Sequence, residues 1–277
     1  MSKPESTFDP DMTLDMDLAM GPTPRDKLGE TTAPPASPFP TGAGLEDLSP
    51  RDLGLPQLKI RQPQTLGAED VPEGEWFLSS EQEYHSLVRD LVVLEVRKER
   101  SLMLPYAGGE AAQAVIARIA DKTGVEVPLE WEGPVCYSHD RIVPVEREGL
   151  PVLSPTCAEC PMNRWRTVNG RRLQDCAESY RLTVYDVVAQ RPGVFHARGA
   201  AIRVTRELLA QLQASCERHK QPAFAFVIYA TTKRIDGLDG PYYVPVFHAP
   251  YLVQDPEQLE FYAALRSKLA TATAEEV

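Results

Sequence analysis

The 277-residue chain has only five cysteines and five histidines, and aromatic residues make up 8% of it. No run of eighteen apolar residues occurs, so no membrane-spanning helix is expected. Bases are the minority: 29 Lys and Arg face 40 Asp and Glu, for a formal net charge of −11. That balance argues against a surface coated uniformly for nucleic acid. There is no Gly-rich phosphate loop, no Gly-x-Ser-x-Gly elbow and no His-Glu-x-x-His helix. His85, His139, His196, His219 and His248 show no ligand spacing among themselves. Asp9, Asp11, Asp15 and Asp17 interrupt the first apolar positions, so no signal peptide is expected and the cytoplasm is the expected compartment.

What the chain does have is cysteine in one place. Cys136, Cys157, Cys160 and Cys176 lie within about forty residues, and two of them form Cys157-Ala158-Glu159-Cys160. A tight Cys-x-x-Cys turn aims two thiolates at one point, and a second pair completes the tetrahedron that zinc accepts from soft ligands. The outer cysteines flank the turn at twenty and fifteen intervening residues, looser than paired Cys-x-x-Cys ribbons. Structural zinc is therefore the expected cofactor, with an iron–sulfur cluster or a redox dithiol as alternatives. A disulfide is disfavoured in a cytosolic chain. A redox motif should open a helix after a strand, whereas this one follows Ser154-Pro155-Thr156 and runs into Pro161. His139 is three residues from Cys136 and is a substitute ligand candidate. Cys216, on the apolar face of a predicted helix, reads as a small core residue.

Charge and composition divide the chain. Residues 1–58 are rich in proline and scattered acids, a composition too poor in apolar surface to offset ordering entropy, and are expected to form a disordered acidic arm. Residues 1–59 hold ten acids against five bases. Just after the Cys-x-x-Cys turn the sign reverses: Arg164, Trp165, Arg166, Arg171 and Arg172 occur with no acid among them.

The periodicity of the remainder predicts strands at 75–78, 86–96, 181–188, 223–231 and 242–247. It predicts helices at 110–122, ending at Gly124, at 205–220 with Thr205 as cap, and at 256–269. Strand, strand, an insertion over 100–178, strand, helix and hairpin is the order of an OB-like antiparallel barrel, placing the chain in a mainly β, α+β class. The expected domain spans 59–255, followed by a C-terminal helix and tail at 256–277.

Cys136-Tyr137-Ser138, then Cys157-x-x-Cys160-Pro161-x-Asn163-x-Trp165, Gly170 and Cys176, together with Pro56-x-x-Lys59-Ile60, resemble a group of bacteriophage and prophage proteins. These carry a four-cysteine zinc motif and are associated with single-stranded DNA binding. The resemblance implies a replication or recombination accessory factor with the four cysteines as zinc ligands, acting in the host cell cytoplasm. Such binding needs aromatic faces for bases and cations for phosphates. Trp165 with Arg164, Arg166, Arg171 and Arg172 is the first candidate platform, and Arg181, Tyr185, Lys233, Arg234, Tyr242 and Tyr243 are second candidates. The arm is a candidate docking segment for replication or recombination proteins. A zinc-containing docking regulator of a polymerase or transcription complex is the alternative function. A nuclease using Asp90 and Glu95 is a weaker one, because Arg97 stands where a lysine base is expected.

Overall fold

The computed structural model describes residues 54–104, 109–131, 133–146, 149, 152–168, 170–237 and 240–274. Most of the expected arm lies outside the described residues. The rest is a mixed α+β unit, mostly sheet, with three α-helices.

The first strands, β1 (Gln57–Ile60), β2 (Trp76–Leu78) and β3 (Glu81–Ser86), precede a fifteen-residue strand, β4 (Arg89–Met103). Helix α1 (Glu110–Thr123) and strand β5 (Pro134–Ser138) follow, then the hairpin β6 (Trp165–Val168) and β7 (Arg171–Gln174). Two long strands, β8 (Cys176–Asp186) and β9 (Arg191–Ala197), lead into α2 (Ala201–His219). Strands β10 (Phe226–Gly237), β11 (Gly240–Phe247) and β12 (Tyr251–Leu252) and helix α3 (Pro256–Ala274) complete the order.

The main sheet runs β11-β10-β4-β8-β9-β1-β2-β3, with β5 also on β4 and β12 also on β10. Every pairing is antiparallel except β1 with β9. The sheet curls into a half-barrel. Its concave side holds the largest core: Leu58, Trp76, Leu91, Val93, Leu182, Val184, Phe195, Phe226 and Ile228 meet Leu208 and Leu212 of α2. Helix α3 covers Val92, Leu94 and Val227 with Tyr262. A separate core joins Leu102 and Val135 to Val115 and Ile119 of α1, with Cys160, Met162 and Cys176.

A side chain completes part of the curl. The Gln62 amide donates to the Tyr243 carbonyl at 2.9 Å and accepts from the Tyr243 N–H at 2.8 Å, occupying both backbone groups as a neighbouring strand would. Thr232 Oγ1 adds a bond of 2.6 Å to the Gly74 carbonyl. Gly74, at φ 83°, is required here: a Cβ would sit 2.5 Å from the Tyr243 ring. Gly193 lets β9 approach β1 and β2, since a Cβ there would stand 3.2 Å from the Pro56 carbonyl.

At the other end of the β4–β8 pair, Arg89 and Asp186 are buried together, Nε to Oδ2 3.4 Å, with side chains 1% and 0% exposed. Asp186 Oδ1 also accepts from the Val188 and Ala189 amides, and Arg89 Nη2 donates to the Trp76 carbonyl. Burial lowers the Arg89 pKa, and the Asp186 charge opposes that shift.

Several expected bounds shift: the strand expected at 181–188 begins at Cys176, and the one expected at 223–231 opens as the 3-10 segment Ala223–Ala225 before β10. Helix α2 starts at Ala201, four residues before the expected cap, and Thr205 is fully buried inside it. The strand expected at 86–96 continues to Met103 because β5 and β8 both pair with its second half.

Asp186→Ala should cost about 3–5 kcal/mol, because it strands a buried guanidinium. Urea unfolding checks this, and a loss below about 1 kcal/mol would show that the pair contributes nothing beyond a surface ion pair.

Candidate cysteine cluster, basic hairpin and groove

The four cysteines come from three elements. Cys157 and Cys160 sit in the turn before the 3-10 segment Pro161–Asn163, Cys136 lies on β5 and Cys176 opens β8. The register explains how distant residues meet: Leu102 of β4 is opposite Cys136 on one side and Cys176 on the other. Directly opposed residues share a sheet face, so both thiols turn toward the core formed with α1. Cys157, Cys160 and Cys176 are buried, Cys136 is half-buried, and none forms a disulfide. Burial first, and then the proximity of Cys136, Cys160 and Cys157, push the Cys176 thiol up to about 12. Cys176 is thus within electrostatic reach of the other three. Among the described residues, however, no three His, Cys, Asp or Glu side chains stand together as a metal-holding group. The donor set itself, four thiols, has the chemistry that zinc selects. His139 is exposed and its ring packs edge-on against Tyr137, on the side of the chain opposite Cys136 by strand alternation.

Asn163 fixes the Cys-x-x-Cys turn. Its Nδ2 donates to the Cys157 carbonyl at 2.7 Å and its backbone N–H donates to Cys160 at 3.0 Å. Its Oδ1 accepts from Arg100 of β4 and from Gln174 of β7. One asparagine therefore ties the turn to the central strand and to the hairpin.

On the hairpin, Trp165 is 59% exposed and the Arg172 guanidinium lies over its ring at 5.2 Å. Arg164 is exposed beside it. Arg166 differs. It forms a fork with Asp175 at 2.8 and 3.0 Å, and Arg118 of α1 binds the same carboxylate at 3.0 and 3.3 Å. The acid that neutralises Arg166 lies three residues after the arginine run, brought back by the hairpin register. Arg171 pairs with Val168 in β7, and its side chain is outside what the structure describes.

The second-rank candidates separate. Tyr185 packs against Phe261 and Tyr262 of α3 at 5.2 and 5.5 Å, a packing role rather than an open face. Lys233 and Arg234 are exposed on β10, and Arg234 is 3.3 Å from Asp236. Asp90 and Glu95 do not converge on a common site: Glu95 holds Arg97 at 2.8 Å, while Asp90 is at the β10 end of β4. Tyr242 and Tyr243 line a groove of about 540 Å³ with Lys59, Gln62, His196 and Arg198.

Sequence reading missed that groove and the row beside it. Arg97 is opposite Arg181, Arg181 is opposite His196, and the β1–β9 register places Lys59 next to His196. Four residues of basic type thus cross four adjacent strands on the face away from the main core. Beneath them Glu99 is fully buried, with its Oε2 3.9 Å from His196 Nδ1. Tyr137 of β5 is the neighbour that faces Glu99, and burial followed by its hydrogen bond with that carboxylate raises the Tyr137 pKa. His196 Nδ1 and the opposed Ser179 hydroxyl make no hydrogen bond within standard geometry. Burial, then the Arg198, Arg181 and Lys59 charges, push the His196 imidazole down to about 4. The only sequence signal for this row was strand alternation, which gives faces but not which strands are neighbours.

Comparison of the chain with protein-family models, curated proteins and solved structures finds no match. The assignment of function rests on the residues themselves.

His196 is neutral in the folded state well below the pH at which it protonates in the unfolded chain. Unfolding therefore takes up a proton as pH falls from about 6.5 to 4, and stability is lost across that window. His196→Asn should remove on the order of 2 kcal/mol of that pH dependence, a figure reduced for its partial exposure. Unfolding free energies measured at pH 4.5 and 7 check this, and identical pH differences in both proteins would contradict it.

Proposed function

We propose that the protein is a non-enzymatic single-stranded DNA-binding protein, a phage replication or recombination accessory factor of the host cytoplasm, with a structural zinc held by Cys136, Cys157, Cys160 and Cys176. The observation that carries the DNA reading is Trp165: a largely exposed indole with a guanidinium over one face, on a short hairpin anchored through Asn163 to the cysteine turn. Buried tryptophans pack, whereas an exposed one beside Arg164 and Arg172 offers a base a stacking face and its phosphates a charge. Arg166 serves differently from Arg164 and Arg172, positioning the hairpin through Asp175.

The strand order supports an OB-like reading of the half-barrel. Within it, β4, β8 and β9 form a meander, α2 follows, and β10 and β11 return beside β4. Zinc, when bound, would fasten β5, the turn and β8 together, supplying folding free energy and no chemistry on a substrate. The N-terminal arm would serve partner proteins. No described helix is long and apolar enough to cross a membrane.

One observation favours the second reading, a docking regulator of a polymerase or transcription complex. Ile142, Val143, Val152 and Leu173 are 64%, 54%, 38% and 40% exposed within the cysteine-bearing insertion. Exposed aliphatic side chains favour a protein partner over a phosphate backbone.

Trp165→Ala should weaken binding to an oligothymidine by about 1–3 kcal/mol with metal content unchanged. Unchanged affinity would remove the hairpin from the DNA interface. Cys157→Ser should release zinc and lower the melting temperature, read by metal analysis and calorimetry. Retention of both stoichiometric metal and the melting temperature would overturn the ligand set.

A further inference from the structure

The groove between β1, the end of β9 and β11 has the composition of a polyanion site, and its charge is separated from the chain's overall −11. No aspartate or glutamate lines it. Lys59 and Arg198 are exposed cations at its wall, and Arg181 is half-buried in the adjoining row. Among the described residues none of these three has a carboxylate within ion-pair distance. The nearby acids are accounted for: Glu95 holds Arg97 at 2.8 Å, and Glu99 is buried beneath the row. Tyr242 and Tyr243 add aromatic surface, and Gln62 is held in place by its two bonds to the Tyr243 backbone. At the far end the wall includes Met103, which pairs with Pro134 of the same β5 strand that carries Cys136. The groove therefore extends from the tyrosines of β11 to the margin of the cysteine-bearing insertion.

We propose that this groove is a second contact surface for the same single strand, in which Lys59 and Arg198 bind backbone phosphates, Arg181 adds positive field from the adjoining row, and Tyr242 offers its ring to a base. The inference rests on the single-strand reading and extends it beyond the hairpin. His196 lies between the cations as a neutral ring, so it contributes surface and hydrogen-bonding capacity and no charge. Separated cations along a trough suit a backbone with regularly spaced phosphates better than one compact anion.

The test is a salt titration of oligothymidine binding by the full chain, the Lys59→Gln/Arg198→Gln double variant and Trp165→Ala. Each contacted phosphate contributes about 0.7 to the slope of log affinity against log salt for a single strand. The double variant should lose about 1.4 from that slope and bind at least about tenfold more weakly at low salt, with melting temperature and metal content unchanged. Both substituted side chains are exposed, so the fold should tolerate their loss. An unchanged slope in the double variant, with Trp165→Ala still weakened, overturns the groove and leaves the hairpin reading. A reduced slope with unaffected Trp165→Ala keeps the groove and overturns the hairpin. No binding by the unmodified chain at low salt overturns both.

Discussion

A one-residue bulge in the longest strand decides which side chains the molecule brings together. Through Val93, β4 pairs with β8 in one register; from Glu95 onward the register has shifted by one, with Leu94 as the extra residue. Because side chains alternate, a shift of one exchanges the faces of everything beyond it. Val93 of the main core and the exposed Val96 lie on the same face, opposite Val184 and Leu182, and by the same alternation Leu102 falls on that side, with Cys136 and Cys176 opposite it. Arg97 and Glu99 fall on the other side, where Arg181, His196 and Lys59 continue the row. Without the bulge Arg97, Glu99 and Leu102 would exchange faces, which would part Leu102 from Cys176 and Arg97 from Arg181.

The two ends of the β4–β8 ladder are secured by different chemistry. One end is pinned by the buried Arg89–Asp186 pair and its backbone partners, a network that penalises loss of either member. The other end relies on small hydrophobic clusters and on Asn163, whose hydrogen bonds link β4, β7 and the Cys-x-x-Cys turn. An insertion with so modest a core is the part of the fold that gains most from a bound metal. The exposed Trp165 is positioned by this same network, which links the proposed zinc to the proposed DNA contact.

Much of this was legible in the sequence where the signal is local. Helix α1 ends at Gly124 in the left-handed conformation, as its sequence implies, and the Cys-x-x-Cys turn and the exposed tryptophan are visible as motifs. What failed was anything that depends on strand neighbours. β9, Arg191–Ala197, was not among the expected strands, and Gly193 within it lets three strands approach. The Arg164–Arg172 run looked uniformly basic because Asp175 returns to Arg166 only once the hairpin closes. Lys59, the His196–Arg198 pair and Tyr242 are far apart in the chain, and no spacing rule connects the three. The start of α2 was misplaced because Thr205 has cap chemistry but is buried within the helix.

The most direct measurement is the intrinsic tryptophan fluorescence of the full chain titrated with an unstructured oligothymidine, with duplex DNA of equal length as the comparison. Trp76 is fully buried and Trp131 half-buried, which leaves Trp165 as the exposed reporter. The account predicts saturable quenching by the single strand, weakened by added salt, and little response to duplex. A flat titration at low salt, or equal quenching by both forms, would contradict it and direct attention to a protein partner for the exposed aliphatic surface of the insertion.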